Sequence, residues 1–117
     1  MSQPRQLETP LYDLLHTDQI SAFNEQRPED AVDLRGGDFR GLDLRALDAQ
    51  HIDFRDAYFR GADLRGVDLR SARLEGASIA HAQISGAYFP HELSADEILM
   101  SVNFGTRLRY GTRPDHQ

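Results

Sequence analysis

The 117-residue sequence predicts an all-β solenoid whose backbone turns a corner once every five residues. Two observations predict it. Every fifth position from Leu34 is apolar: Leu34, Phe39, Leu44, Ala49, Phe54, Phe59, Leu64, Leu69, Leu74, Ile79, Ile84 and Phe89. Two places before each stands a second apolar set, running from Val32 through Ala62 to Ala87, with Gly37 the one blank. A five-residue period drifts by about 140° per repeat on an α-helix and smears any apolar stripe. On a flat strand an odd period flips faces at every repeat. A chain that bends once per repeat keeps both apolar residues pointing inward.

All the central positions except Ala49 are Leu, Ile or Phe, and these eleven form the expected core. The larger neighbours Leu47 and Ile52 are expected to compensate for the short Ala49 side chain at native packing density. Six repeats end in glycine (Gly36, Gly41, Gly61, Gly66, Gly76, Gly86), where a type II turn needs positive φ. The other corners fall on Ala46, His51, Asp56, Ser71, His81 and His91, and are expected to be type I or irregular.

The segments around the repeats read as short helices. Thr9-Pro10 is an N-cap followed by proline at the first helical position, and Leu11, Leu14 and Leu15 then share one face. Thr17 or Asp18 is the expected cap of a second helix carrying Ile20 and Phe23 and ending before Pro28. After Pro90, Ser94-Ala95-Asp96-Glu97 forms a capping box, with Ile98, Leu99 and Val102 on one side of the helix and Asn103 or Gly105 at its end. Phe104 to Tyr110 alternates like a strand, and Gly111 to Gln117 is expected to fray. The divisions are therefore a helical leader over 1–31, the repeat block over 32–91, and a helix, strand-like segment and tail over 92–117.

The register resembles that of the pentapeptide-repeat family, whose pattern is roughly Ala-(Asp/Asn)-(Leu/Phe)-X-Gly. It stands most cleanly as Ala62-Asp63-Leu64-Arg65-Gly66, followed by Val67-Asp68-Leu69-Arg70-Ser71. The resemblance implies a right-handed quadrilateral β-helix, four repeats to a coil, hence about three coils, and the flanking helices read above are expected to cap it at both ends. At ~4.8 Å per strand such a stack is only about 14 Å tall.

Composition excludes several classes. The absence of cysteine removes disulfides and thiol chemistry and fits a reducing, cytoplasmic setting. No apolar run approaches the ~20 residues of a membrane span, and Met1 to Thr9 lacks a signal-peptide core. The net charge of −6 lies mostly in the leader, since the repeat block balances eight Arg against nine acids. The Asp and Arg rows flanking each central residue are read as a solvated exterior that pairs within and between coils. From repeat nine onward they give way to Arg73, Ser78, Gln83 and Tyr88, and to Glu75, Ala80, Ser85 and Pro90.

No catalytic constellation, cofactor motif or metal-ligand spacing emerges. The five histidines are scattered, and His51 and His91 lie two coils apart, too far to share a zinc ion. Candidate interface residues are Tyr58 and Tyr88, which replace Asp, and the tail residues Phe104, Arg107, Leu108, Arg109 and Tyr110. Tyr88 is expected to pack beside the C-terminal helix, and the tail arginines are candidates to hold an anion or an acidic partner. The sequence thus predicts a non-enzymatic protein-interaction module that self-associates through its weakly charged C-terminal end, the Phe104–Tyr110 strand adding to a neighbour. No nucleic acid, membrane or metal partner is expected. The family resemblance raises one alternative, a DNA-mimic binder or protector of DNA gyrase of the quinolone-resistance type, which the short, nearly neutral stack disfavours.

Overall fold

The computed structural model describes residues 9–111. The polar leader start at 1–8 and the tail at 112–117, expected to fray, lie outside the described residues. Among the described residues there are three helices and two short strands: α1 (Pro10–His16), α2 (Ile20–Gln26), β1 (Val32–Asp33), β2 (Ile52–Asp53) and α3 (Ala95–Phe104).

Between α2 and α3 the chain winds as a β-helical solenoid. β1 and β2 pair in parallel with Val32 opposite Ile52, and isolated parallel bridges join Asp38 to Tyr58 to Ser78, Asp43 to Asp63 to Gln83, and Asp68 to Tyr88. Every bridge links residues twenty apart, so residues 32–51, 52–71 and 72–91 occupy successive levels. Extended segments are too short for long strands because each ends in a corner. At the corners an amide bonds back three residues, as Gly37 N does to Leu34 O at 3.1 Å and Ala62 N to Phe59 O at 2.9 Å.

The repeat register becomes the core. Nine of the eleven expected core residues, Leu34 through Ile79, are buried. The phenylalanines meet in an aromatic cluster: Phe39 stacks on Phe59 with ring centroids 5.2 Å apart, and Phe54 sits edge-on to both at 5.4 and 5.1 Å. Each such pair adds about 0.5–1.5 kcal/mol to the burial term. Ile84 and Phe89 differ from expectation and are only half-buried. They lie on the last level, where among the described residues the amides of Ile84, Gly86 and Phe89 find no partner on a further level.

The blank in the second apolar set has a steric cause. A Cβ at Gly37 would sit 2.7 Å from the Phe39 ring, so the phenylalanine occupies the volume that alanine fills in other repeats.

The corners correct the expectation of type I turns at non-glycine positions. Ala46, His51, Asp56 and His81 all have positive φ, between 54° and 70°, like the glycines. The ladder and the three-residue turn bond impose the corner, and the residue placed there accepts the strain. Only Ser71 and His91 depart from that conformation.

Both ends of the stack are tied to the flanking segments. Thr9 caps α1 by accepting from Tyr12 N at 3.2 Å, while α2 starts at Gln19 without a side-chain cap, not at Thr17 or Asp18. Tyr12, Leu15 and Phe23 join the solenoid core. Asn24 donates to Ala46 O and accepts from Asp48 N, both at 2.8 Å. The buried Arg27 guanidinium donates to the carbonyls of Pro28, Asp30 and Asp48. At the other end Ser94 caps α3 and Gly105 ends it in the left-handed conformation. Phe104 belongs to α3, and the chain after it adds to its own last level: Gly76 N donates to Leu108 O at 2.8 Å and Leu108 N to Ala77 O at 2.7 Å.

Candidate interaction site

Charge on the solenoid wall is internally matched. In Asp33–Arg35, Asp38–Arg40, Asp43–Arg45, Asp53–Arg55, Asp63–Arg65 and Asp68–Arg70 the guanidinium grips the carboxylate two residues earlier, with Nη2 to Oδ2 distances of 2.7–2.9 Å. The spacing explains it, since residues two apart on an extended segment point to the same outer face. Arg45 also reaches Asp63 on the next level at 3.3 Å. The Arg45 and Arg70 guanidiniums hold the Asp43 and Asp68 carboxyls at about 2. A wall of closed ion pairs presents little net field to a partner.

Tyr58 interrupts this row. It is half-buried, and the Arg107 guanidinium lies 5.5 Å from its ring centroid and donates to its hydroxyl at 3.1 Å. Tyr88 reverses its expectation: it is 56% exposed rather than packed beside α3, with the Arg70 guanidinium 4.8 Å from its ring. Such cation–π contacts at exposed sites contribute about 0.5–1 kcal/mol.

The tail residues divide between inside and outside. Leu108 is 1% exposed, and both its backbone groups bond the third level, so that edge of the segment is already used within the chain. Tyr110 is half-buried, and its hydroxyl accepts from Leu74 N at 3.0 Å; burial pushes its ionisation upward. Arg109 is engaged by Glu97, through its amide at 3.1 Å and its guanidinium at 3.0 Å, which holds that carboxyl below its usual range. Phe104, at 74% exposure, is the most open large apolar residue described.

Helix α3 turns two of its three expected apolar residues inward and leaves the third, Leu99, outside. Ile98 and Val102 pack on the core with Ser101 between them, while Leu99 and Met100 are 53% and 45% exposed. Ser101 is fully buried because it substitutes for a further level: its Oγ accepts from Ile79 N at 2.9 Å and donates to Thr106 O at 2.6 Å. The signal was present in the spacing of Ile98, Ser101 and Val102, at i, i+3 and i+4.

The remaining half of the last level is open. Leu64, Gly66 and Leu69 donate their amides to Gln83, Ser85 and Tyr88 on the level beyond. One level on, the equivalent amides of Ile84, Gly86 and Phe89 have no hydrogen-bond partner among the described residues. An unpaired edge beside half-buried Ile84 and Phe89 and exposed Tyr88 has the composition of an association surface.

Among the described residues no cluster of His, Asp or Glu is arranged to hold a metal ion, and no helix is long and apolar enough to cross a membrane. A family model for pentapeptide repeats matches residues 30–61 and 52–89, with eight copies. No curated protein and no solved structure matches the chain.

Proposed function

Because this chain belongs to the pentapeptide-repeat family, we propose that it is a non-enzymatic protein–protein interaction module acting in the cytoplasm. Its three parts divide at 1–31, 32–91 and 92–117, and the middle part is a right-handed quadrilateral β-helix of about three coils capped by helices. The twenty-residue spacing of the parallel bridges supports that coil length, and the lack of cysteine supports a reducing setting.

The module self-associates through its C-terminal end. The observation that carries this reading is the open edge at Ile84, Gly86 and Phe89, next to exposed Tyr88 and at the same end as Leu99 and Met100. The edge offered to a second copy is residues 82–89, since the segment after Phe104 already bonds its own last level. Sedimentation velocity over a wide concentration range tests it. The native chain is expected to dimerise, and Tyr88→Asp combined with Phe89→Asp to stay monomeric. A strictly monomeric native chain at high concentration would overturn self-association.

Mimicry of duplex DNA receives no support from the wall. Six of its aspartates are tied to the arginine two residues on, whereas a mimic needs unneutralised rows of negative charge. Dose-dependent inhibition of gyrase supercoiling by the protein would reverse that ranking.

A further inference from the structure

One outward position on the second level breaks the pairing rule. Arg60 has Tyr58, not aspartate, two residues before it, so the i−2 carboxylate that clamps six other arginines is missing. Among the described residues the Arg60 side chain forms no ion pair or hydrogen bond. Its equivalents on the neighbouring levels do not compensate: Arg40 is paired with Asp38, and position 80 is a buried alanine.

Arg60 lies in a groove of 330 Å³ that also takes in Arg40, Tyr58, Phe104 and Arg107. That size is at the lower end for ligand clefts, about 300–1,000 Å³. Among the described residues no carboxylate lines it. One wall is held rigid by the tail: Arg107 donates to Gly76 O at 2.8 Å and to the Tyr58 hydroxyl at 3.1 Å, with Asp56 outside the groove at 4.0 Å from its guanidinium. Ser78 Oγ donates to Gly105 O at 3.2 Å, which anchors the turn that leaves Phe104 exposed at the rim.

We infer that this groove docks an acidic segment of a protein partner, with a carboxylate on Arg60 and an adjacent apolar side chain against Phe104. Guanidinium groups bind carboxylates in a planar, two-pronged fashion, which makes Arg60 a specific receptor and not just a charge. Phe104 selects for a chain that carries apolar groups next to its acids. A nucleic acid fits less well: the groove offers three guanidiniums and no continuous basic track along which a phosphate backbone could run. The proposal rests on the reading of this protein as an interaction module, but it uses a different surface from the Ile84–Phe89 edge.

The test is fluorescence anisotropy at low salt with a labelled heptapeptide of alternating glutamate and phenylalanine. Saturable binding is expected, with Arg60→Glu weakening it at least tenfold and Phe104→Ala weakening it several-fold. The same peptide with glutamine for glutamate is expected to bind at least tenfold more weakly. Absence of binding by the native chain up to millimolar peptide would overturn the proposal. So would equal binding by Arg60→Glu, equal binding of the glutamine peptide, or tighter binding of a single-stranded oligonucleotide of the same charge. Sedimentation of Arg60→Glu separates the two readings, because its self-association is expected to match the native chain whatever the peptide does.

Discussion

The Tyr12 hydroxyl lies 3.2 Å from both the amide nitrogen and the carbonyl oxygen of Asp38, so one side chain stands in for the peptide group of a preceding level. A solenoid end exposes donors and acceptors that its next level would satisfy, and a phenol can serve both at once. Tyr12→Phe keeps the edge contact with Phe39, 5.7 Å between ring centroids, and removes only the hydroxyl. His16 Nε2 remains 2.6 Å from Asp38 O, so the amide is the group left without a partner. An orphaned buried amide costs about 1–3 kcal/mol, and the partly buried Asp38 amide is expected at the lower end of that range. Urea unfolding is expected to show a lower midpoint with unchanged slope, and an unchanged midpoint would mean that water replaces the phenol.

Gly37 and Gly41 are expected to resist alanine for opposite reasons. A methyl group at Gly37 would drive into the Phe39 ring, an overpacking cost of about 1–3 kcal/mol. At Gly41 it would meet nothing within 4 Å, but φ is +71° and the backbone itself is strained by about 1–2 kcal/mol. Phe39→Leu should rescue Gly37→Ala in a double-mutant cycle and leave Gly41→Ala unaffected.

The corner residues mark where the sequence stopped being legible. The five-residue register located the nine fully buried core positions because burial follows directly from side-chain spacing. Corner conformation does not follow from residue type, since Ala46 sits at φ 70° at the corner that Gly66 and Gly86 occupy twenty and forty residues on, at φ 74° and 73°. Ala46→Gly is therefore expected to stabilise the fold. Relief of about 1–2 kcal/mol of left-handed strain is partly offset by the extra freedom of glycine in the unfolded chain, leaving a gain of about 0.5 kcal/mol. Thermal or urea unfolding checks the sign. The candidate site was less legible than the core for a similar reason. That Leu108 turns inward and Leu99 outward depends on which half of the last level α3 covers, and that is a tertiary choice.

The paired wall makes the protein acid-sensitive in a defined window. Asp43 and Asp68 titrate near 2 in the folded state, against an ordinary 3.8, because Arg45 and Arg70 hydrogen-bond their charged forms. A carboxyl depressed by folding stabilises the fold above its unfolded value, and that contribution disappears as pH falls through the folded value. Stability is expected to be level above about pH 4 and to decline between about 4 and 2, from the same shifts. The double variant Asp43→Asn, Asp68→Asn should show a shallower decline in that range. An equally steep decline would place the acid sensitivity in other carboxylates.

Ser101 performs at the last level what Tyr12 performs at the first. Its hydroxyl joins Ile79 N to Thr106 O and so ties α3, the third level and the following segment together. Ser101→Ala removes an acceptor from one buried amide and a donor from one carbonyl without creating a large cavity, at a cost of about 1–3 kcal/mol. Ile79 lies beneath the helix, and Leu108 is bonded directly to Gly76 and Ala77. Hydrogen exchange is therefore expected to accelerate at the amides of Ile79 and Leu108 while those of Phe39 and Leu44, at the far end, keep their protection relative to the global unfolding limit. Uniform acceleration across all four amides would show that the last level unfolds only with the whole stack. Local acceleration makes the C-terminal end a separate opening unit, and the edge at Ile84 to Phe89 then adjoins the least stable part of the molecule.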